Sequence, residues 1–96
     1  MDIQAVFEKY EDEFLEFERI IEPRHRRPDL CAFLMLDDVR PNAGRDMVMA
    51  AEHGEIWLDV AEEKLEILTH MPDLVRDLVR CGVRYDEEND CLAMFV

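Results

Sequence analysis

Three histidines and three cysteines are the residues of this sequence whose chemistry could serve catalysis or metal binding. They are His25, His53, His70, Cys31, Cys81 and Cys91. A catalytic pair needs a base within hydrogen-bond reach of its nucleophile, and a zinc site needs ligands paired at short spacing. No cysteine lies within four residues of another cysteine or of a histidine. The glycines are isolated, so no phosphate-binding loop is present. The spacing therefore predicts a protein that is not an enzyme, uses no cofactor and holds no metal.

Carboxylates are the reactive groups that the sequence supplies in excess. Asp and Glu total 24 against 11 Lys and Arg, for a net charge of −13. They concentrate in the stretches 8–18, 59–66 and 86–90. If folding brings two stretches to one face, the carboxylates would imitate nucleic-acid phosphates and occupy a cationic protein channel. The residues predicted to bind a partner in this way are Glu8, Glu11, Asp12, Glu16, Glu62, Glu63, Glu66, Asp86, Glu87 and Glu88.

The excess charge also restricts the class of partner. Phosphates repel a polyanion, so direct nucleic-acid binding and attachment to an anionic membrane are both disfavoured. The expected partner is a host protein with a basic surface. The alternative is that the carboxylates form separate solvated faces, which would serve solubility alone.

Length and composition predict one folded domain over residues 1–96. The apolar fraction of 49% is too high for a disordered acidic tail. The longest uncharged apolar run, residues 30–36, is far shorter than the roughly 20 residues that cross a bilayer. The acidic start is not typical of a signal peptide, and an odd number of cysteines favours free thiols. These features predict a cytoplasmic protein.

Residues 2–22 predict a long amphipathic helix that Pro23 ends. Apolar residues recur there in steps of four and three, at Ile3, Phe7, Tyr10, Phe14, Phe17 and Ile21. This apolar seam packs either on the domain's own core or on a second copy. The second outcome would give a homodimer through Phe7, Tyr10, Phe14 and Phe17.

The remaining sequence predicts short helices and strands. Helices are expected over 29–39, over 60–68 and from Pro72 to a closing Gly82. Strands are expected over 55–60, 83–85 and 92–96, whereas 47–51 fits a strand or a short helix. Trp57 is expected in the core. The fold class is therefore α+β: a helix-rich single domain with a small antiparallel sheet.

The order of these elements from residue 29 to residue 96 resembles a winged helix, a fold that implies DNA binding. The helix that would read DNA carries Asp73, Arg76, Asp77 and Arg80, which can pair with one another along a solvent face. The turn that would form the wing carries Asp86, Glu87, Glu88 and Asp90, which phosphates repel. Direct DNA binding is therefore disfavoured even if the fold is a winged helix.

Two stretches resemble small acidic phage and prophage proteins. They are AEHGEIWLD at 51–59, and RCGVRYD at 80–86 followed by LAMFV at 92–96. No activity is known for such proteins, so the resemblance implies no functional residues. It implies a phage-encoded regulator or inhibitor of a host machine.

The expected function is thus a non-catalytic acidic inhibitor or regulator that imitates nucleic acid. The alternatives are an assembly protein that dimerises through the N-terminal helix and a divergent winged-helix DNA-binding regulator.

Overall fold

The computed structural model describes residues 2–39, 46–59 and 62–95, with every side chain in these ranges except those of Glu62 and Glu63. In this part of the chain, four α-helices accompany four β-strands, which confirms the predicted α+β single domain. Two short 3₁₀ helices, Glu11–Glu13 and Phe17–Arg19, follow the first α-helix. The α-helices are α1 Ile3–Lys9, α2 Pro28–Val39, α3 Glu62–Thr69 and α4 Pro72–Arg80. The strands are β1 Val48–Glu52, β2 Glu55–Leu58, β3 Val83–Asp86 and β4 Cys91–Phe95.

The strands form one antiparallel sheet in the order β1-β2-β4-β3. The segment over 47–51 therefore belongs to a hairpin and not to a helix. His53 and Gly54, with φ values of 52° and 77°, form the tight turn of this hairpin. The sheet register aligns Trp57 with Ala93 and Ala93 with Arg84. The elements predicted from α2 to β4 are found in the predicted order, with β1 as a further strand before β2, and the winged-helix resemblance stays a prediction.

The core lies between the helices and one face of the sheet. Side chains alternate along each strand, so Ile56 and Leu58 of β2 and Leu92 of β4 point into the core. Leu36 and Leu78 meet them from α2 and α4 with no exposed surface. The other face of the sheet carries polar and aromatic side chains of β2 and β3, among them Glu55, Trp57 and Arg84.

The long helix predicted over 2–22 is wrong. Helix α1 ends at Lys9, and Leu15 adopts a φ of 65°, which a right-handed helix does not allow. The backbone N–H of Leu15 instead donates to the carbonyl of Val79 at 3.2 Å. Like charges spaced four apart weaken an isolated helix here. The turns also let Tyr10, Phe14 and Phe17 pack against the core.

Arg80 holds the turned segment over 10–20 in place. This side chain, expected on the solvent face of α4, is only 8% exposed. Its guanidinium donates to Glu13 Oε1 at 2.7 and 2.9 Å, to Asp77 Oδ1 at 3.1 Å and to the Arg19 carbonyl at 3.3 Å. A continuous helix would separate residues 13 and 19 by about 9 Å along its axis, so one guanidinium would not reach both. This contact therefore requires the turns.

The apolar seam has no helical face to offer a second copy. Phe7 is 5% exposed, and Tyr10, Phe14 and Phe17 pack against the core. Ile21, predicted at the end of the seam, is 89% exposed. The predicted dimer would have to pull these aromatic side chains out of the domain that they stabilise.

The contact between Glu13 and Arg80 makes the free energy of unfolding depend on pH in the acidic range. The hydrogen bond from Arg80 holds the pKa of Glu13 below its usual value. A carboxyl group with a lowered folded-state pKa adds stability above its unfolded pKa and loses it as pH falls through the folded value. Between about pH 6 and pH 3, urea unfolding should show a larger loss of stability for the wild type than for Glu13→Gln.

Glu18→Gln removes an exposed acid from the same segment and serves as control. Equal pH profiles for wild type and Glu13→Gln would contradict this account.

Candidate functional site

A groove of about 530 Å³ lies between α1 and the edge strand β3. Aromatic and aliphatic side chains form its floor, and carboxylates surround them. The apolar lining is Phe7, Phe14, Trp57, Val79, Val83 and Tyr85. The acidic lining is Glu8, Glu11, Glu55, Asp86, Glu87 and Glu88. We call this feature the acidic groove.

Two of the three acidic stretches meet at the acidic groove. Of the ten predicted binding residues, five line it: Glu8, Glu11, Asp86, Glu87 and Glu88. Gln4 connects the two stretches directly, since its amide Nε2 donates to Glu87 Oε2 at 2.6 Å and to Glu8 Oε1 at 3.2 Å. The hydrogen bonds of Gln4 thus hold carboxylates from α1 and from the β3–β4 turn side by side.

The other predicted residues are not brought to this groove. Asp12, Glu16 and Glu66 are absent from the described lining, and Glu16 is paired with Arg19 at 2.9 Å. The side chains of Glu62 and Glu63 lie outside the described part of the structure. Within the described residues, the acidic groove therefore takes its predicted carboxylates from the first and third acidic stretches.

Asp86 has a positioning role within the groove. Its Oδ2 accepts from Trp57 Nε1 at 2.7 Å and from Asn89 Nδ2 at 2.8 Å. Its Oδ1 accepts from the backbone N–H of Glu88 at 3.0 Å. These bonds, first that from the Asn89 side chain and then that from Trp57, lower the pKa of Asp86. The carboxylate therefore stays charged, orients Trp57 and shapes the turn that presents Glu87 and Glu88.

Trp57 lies in the groove and not in the core, where the sequence analysis placed it. Ile56 and Leu58 are buried, whereas Trp57 and Glu55 are partly exposed on the opposite face of β2. The alternation of strand side chains could have revealed this, because only one of the two sets can face the core. Gln4 was missed entirely, and no sequence signal distinguishes it from any other polar helix residue.

Positive charge is scarce in the groove. Arg84 is the single cation among the described lining residues, and it is already engaged by an ion pair with Glu55. Its guanidinium also lies 4.6 Å from the centre of the Phe95 ring. In the basic run over 24–27, which is not part of the lining, Arg24 pairs with Asp38. The groove thus keeps a strong negative potential.

The groove has no activated nucleophile in its described lining. The Tyr85 hydroxyl donates to Asp90, which raises the pKa of Tyr85 to about 12 and keeps it protonated. The three cysteines are free and buried, and burial raises the pKa of Cys81 and Cys91. No group of three or more His, Cys, Asp and Glu that could hold a metal is found among the described residues. The arrangement is suited to binding a cationic surface.

Comparisons with protein-family models, with curated proteins and with solved structures gave no match to this chain. Among the described residues, no helix has the length and apolarity needed to cross a membrane. Fold and site therefore define the protein as an α+β domain with an acidic, aromatic-floored groove.

Trp57 is the only tryptophan, so its fluorescence reports on the groove. Asp86→Ala should shift the Trp57 emission maximum, because the indole loses its charged hydrogen-bond acceptor. The same change should destabilise the domain by roughly 0.5–1.5 kcal/mol, since the turn loses its side-chain acceptor. Glu88→Ala alters the same turn without removing that acceptor, and it should leave the emission maximum unchanged. Identical spectra for wild type and Asp86→Ala would refute the positioning role.

Proposed function

We propose that this protein is a non-catalytic inhibitor or regulator that docks its acidic groove onto the basic surface of another protein. The observation that supports this most is the convergence of two distant acidic stretches, joined by Gln4, around partly exposed aromatic side chains. Carboxylates spread evenly over the surface would make the protein equally soluble. Carboxylates clustered in a groove also produce a local negative electrostatic potential.

Two forces would contribute to docking. Long-range attraction steers a basic partner toward the negative groove and raises the association rate. Short-range contacts then hold it, because Trp57 and Tyr85 offer aromatic surface to the stems and charged heads of Lys and Arg. Aromatic residues at the centre of an interface commonly supply most of its binding free energy.

We further propose that the partner is a host protein that handles nucleic acid, and that the carboxylates occupy the positions of phosphates. Support comes from the charge pattern and from the resemblance to phage and prophage proteins. The protein would then act in the cytoplasm of a bacterial host, an environment in which its three free, buried cysteines stay reduced.

The two alternative functions have less support. An assembly role through the N-terminal segment requires aromatic side chains that now pack against the core. DNA binding through α4 requires free cations, but Arg80 is buried, and Arg76 lies 3.9 Å from Asp73 and 3.7 Å from Asp77. No specific observation on the described residues favours either role.

Charge reversal tests the proposed function. The variant Glu8→Lys, Glu87→Lys, Glu88→Lys replaces groove carboxylates, so capture of the partner from bacterial lysate should fall by about tenfold or more. Wild-type capture should also weaken steeply as salt rises from about 0.1 to 0.5 M, because screening shortens the range of attraction. Capture is quantified by mass spectrometry, with circular dichroism confirming that the variant remains folded.

A matched variant separates the groove from overall charge. Glu18→Lys, Asp37→Lys, Asp46→Lys makes the same change of net charge at exposed residues outside the groove lining. It should retain capture close to that of the wild type. Equal loss in both variants would show that total charge, and not the groove, recruits the partner. Undiminished capture by the groove variant would eliminate the proposal.

A further inference from the structure

All four residues of β3 line the acidic groove. Successive side chains of a strand point to opposite faces, so a groove on one face of the sheet would contact only alternate residues. Strand β3 pairs with β4 on one side and ends the order β1-β2-β4-β3. Contact with four successive residues therefore places the groove along the free edge of β3, with α1 as its opposite wall.

The free edge of a strand carries backbone N–H and C=O groups that an extended chain can satisfy by adding another strand. The two edges of this sheet differ in their surroundings. Every residue of β1 is exposed, whereas the residues of β3 are buried or partly buried. A segment added at β3 would therefore sit in a recess with apolar contacts, and one added at β1 would remain exposed to water.

We propose that the acidic groove binds an extended segment of the partner protein, with alternating basic and apolar residues, by adding it to β3 as a fifth strand. This inference rests on the proposed function and specifies how the partner is held. Backbone hydrogen bonds to β3 provide the docking geometry. Glu8, Glu11, Glu87 and Glu88 select basic residues, and the aromatic floor takes the apolar residues between them.

Charge decides against two other occupants of this edge. A second copy also has a net charge of −13, so two copies repel each other overall. A nucleic acid would present phosphates to the same carboxylates. In both arrangements, like charges repel one another.

The test uses the full chain and a defined probe. The probe is a capped peptide of about six residues, alternating lysine and valine, which is long enough to span a strand of this length. Binding is followed by Trp57 emission, and backbone amide hydrogen exchange is measured over residues 83–86. The expected result is a saturable change in emission together with slower exchange of the β3 amides that face the groove.

The control is the same peptide with the backbone nitrogens of its two central residues methylated. Charge and side chains are unchanged, but each edge of the peptide loses a donor and gains a methyl group. Strand addition predicts affinity weaker by about tenfold or more.

Equal affinity for both peptides, or no binding of the unmethylated peptide, would overturn strand addition. Neither result would decide the proposed function, because the groove and control charge variants test docking on the partner itself. Loss of groove-dependent capture, conversely, would remove the proposed function even if the peptide bound.

Discussion

The guanidinium of Arg80 is the contact on which the shape of this protein depends most. It joins Glu13 and the carbonyl of Arg19 to α4, and so fixes the turned segment together with the hydrogen bond from Leu15 to Val79 and the packed aromatic side chains. Burying a charge is costly unless partners satisfy it, and here Asp77 completes the set. Helix α1 packs beside β3. The acidic groove is the space between them.

The acidic groove connects the fold to the proposed function. Carboxylates that repel one another are held together by Gln4 and by the hydrogen bonds of the β3–β4 turn. Such an arrangement opposes folding slightly, since like charges are confined at close range. A partner with basic residues would relieve that repulsion, so the same charges that weaken the free domain would strengthen its complex.

Local sequence signals predicted much of the fold. Pro72 and Gly82 mark α4 correctly because a proline at the first helical position and a left-handed glycine after the last one act locally. The strand after Gly54 and the two strands around the 87–90 turn follow from β-branched and aromatic residues beside turn residues. The segment before Gly54 was left open between a strand and a short helix, and the structure makes it a strand. The N-terminal segment was mispredicted because its helical periodicity is real, and the contacts that favour the turned form are made with residues distant in sequence, Arg80 above all.

The candidate site was predictable in composition but not in position. The acids of 8–11 and 86–88 were identified from charge alone. That they meet, while Asp12, Glu16 and Glu66 do not join them, depends on tertiary packing that no periodicity encodes. Trp57 was assigned to the wrong face because a run of apolar residues hides the alternation of a strand.

Carboxylate footprinting of the protein alone and in complex with its captured partner tests the docking surface most directly. A carbodiimide and an amine label accessible carboxyl groups, and mass spectrometry reads the extent at each residue. The partner should protect Glu8, Glu11, Glu87 and Glu88, while Glu18, Asp37 and Asp46 should keep their labelling. Protection of the second group with continued labelling of the first would contradict it.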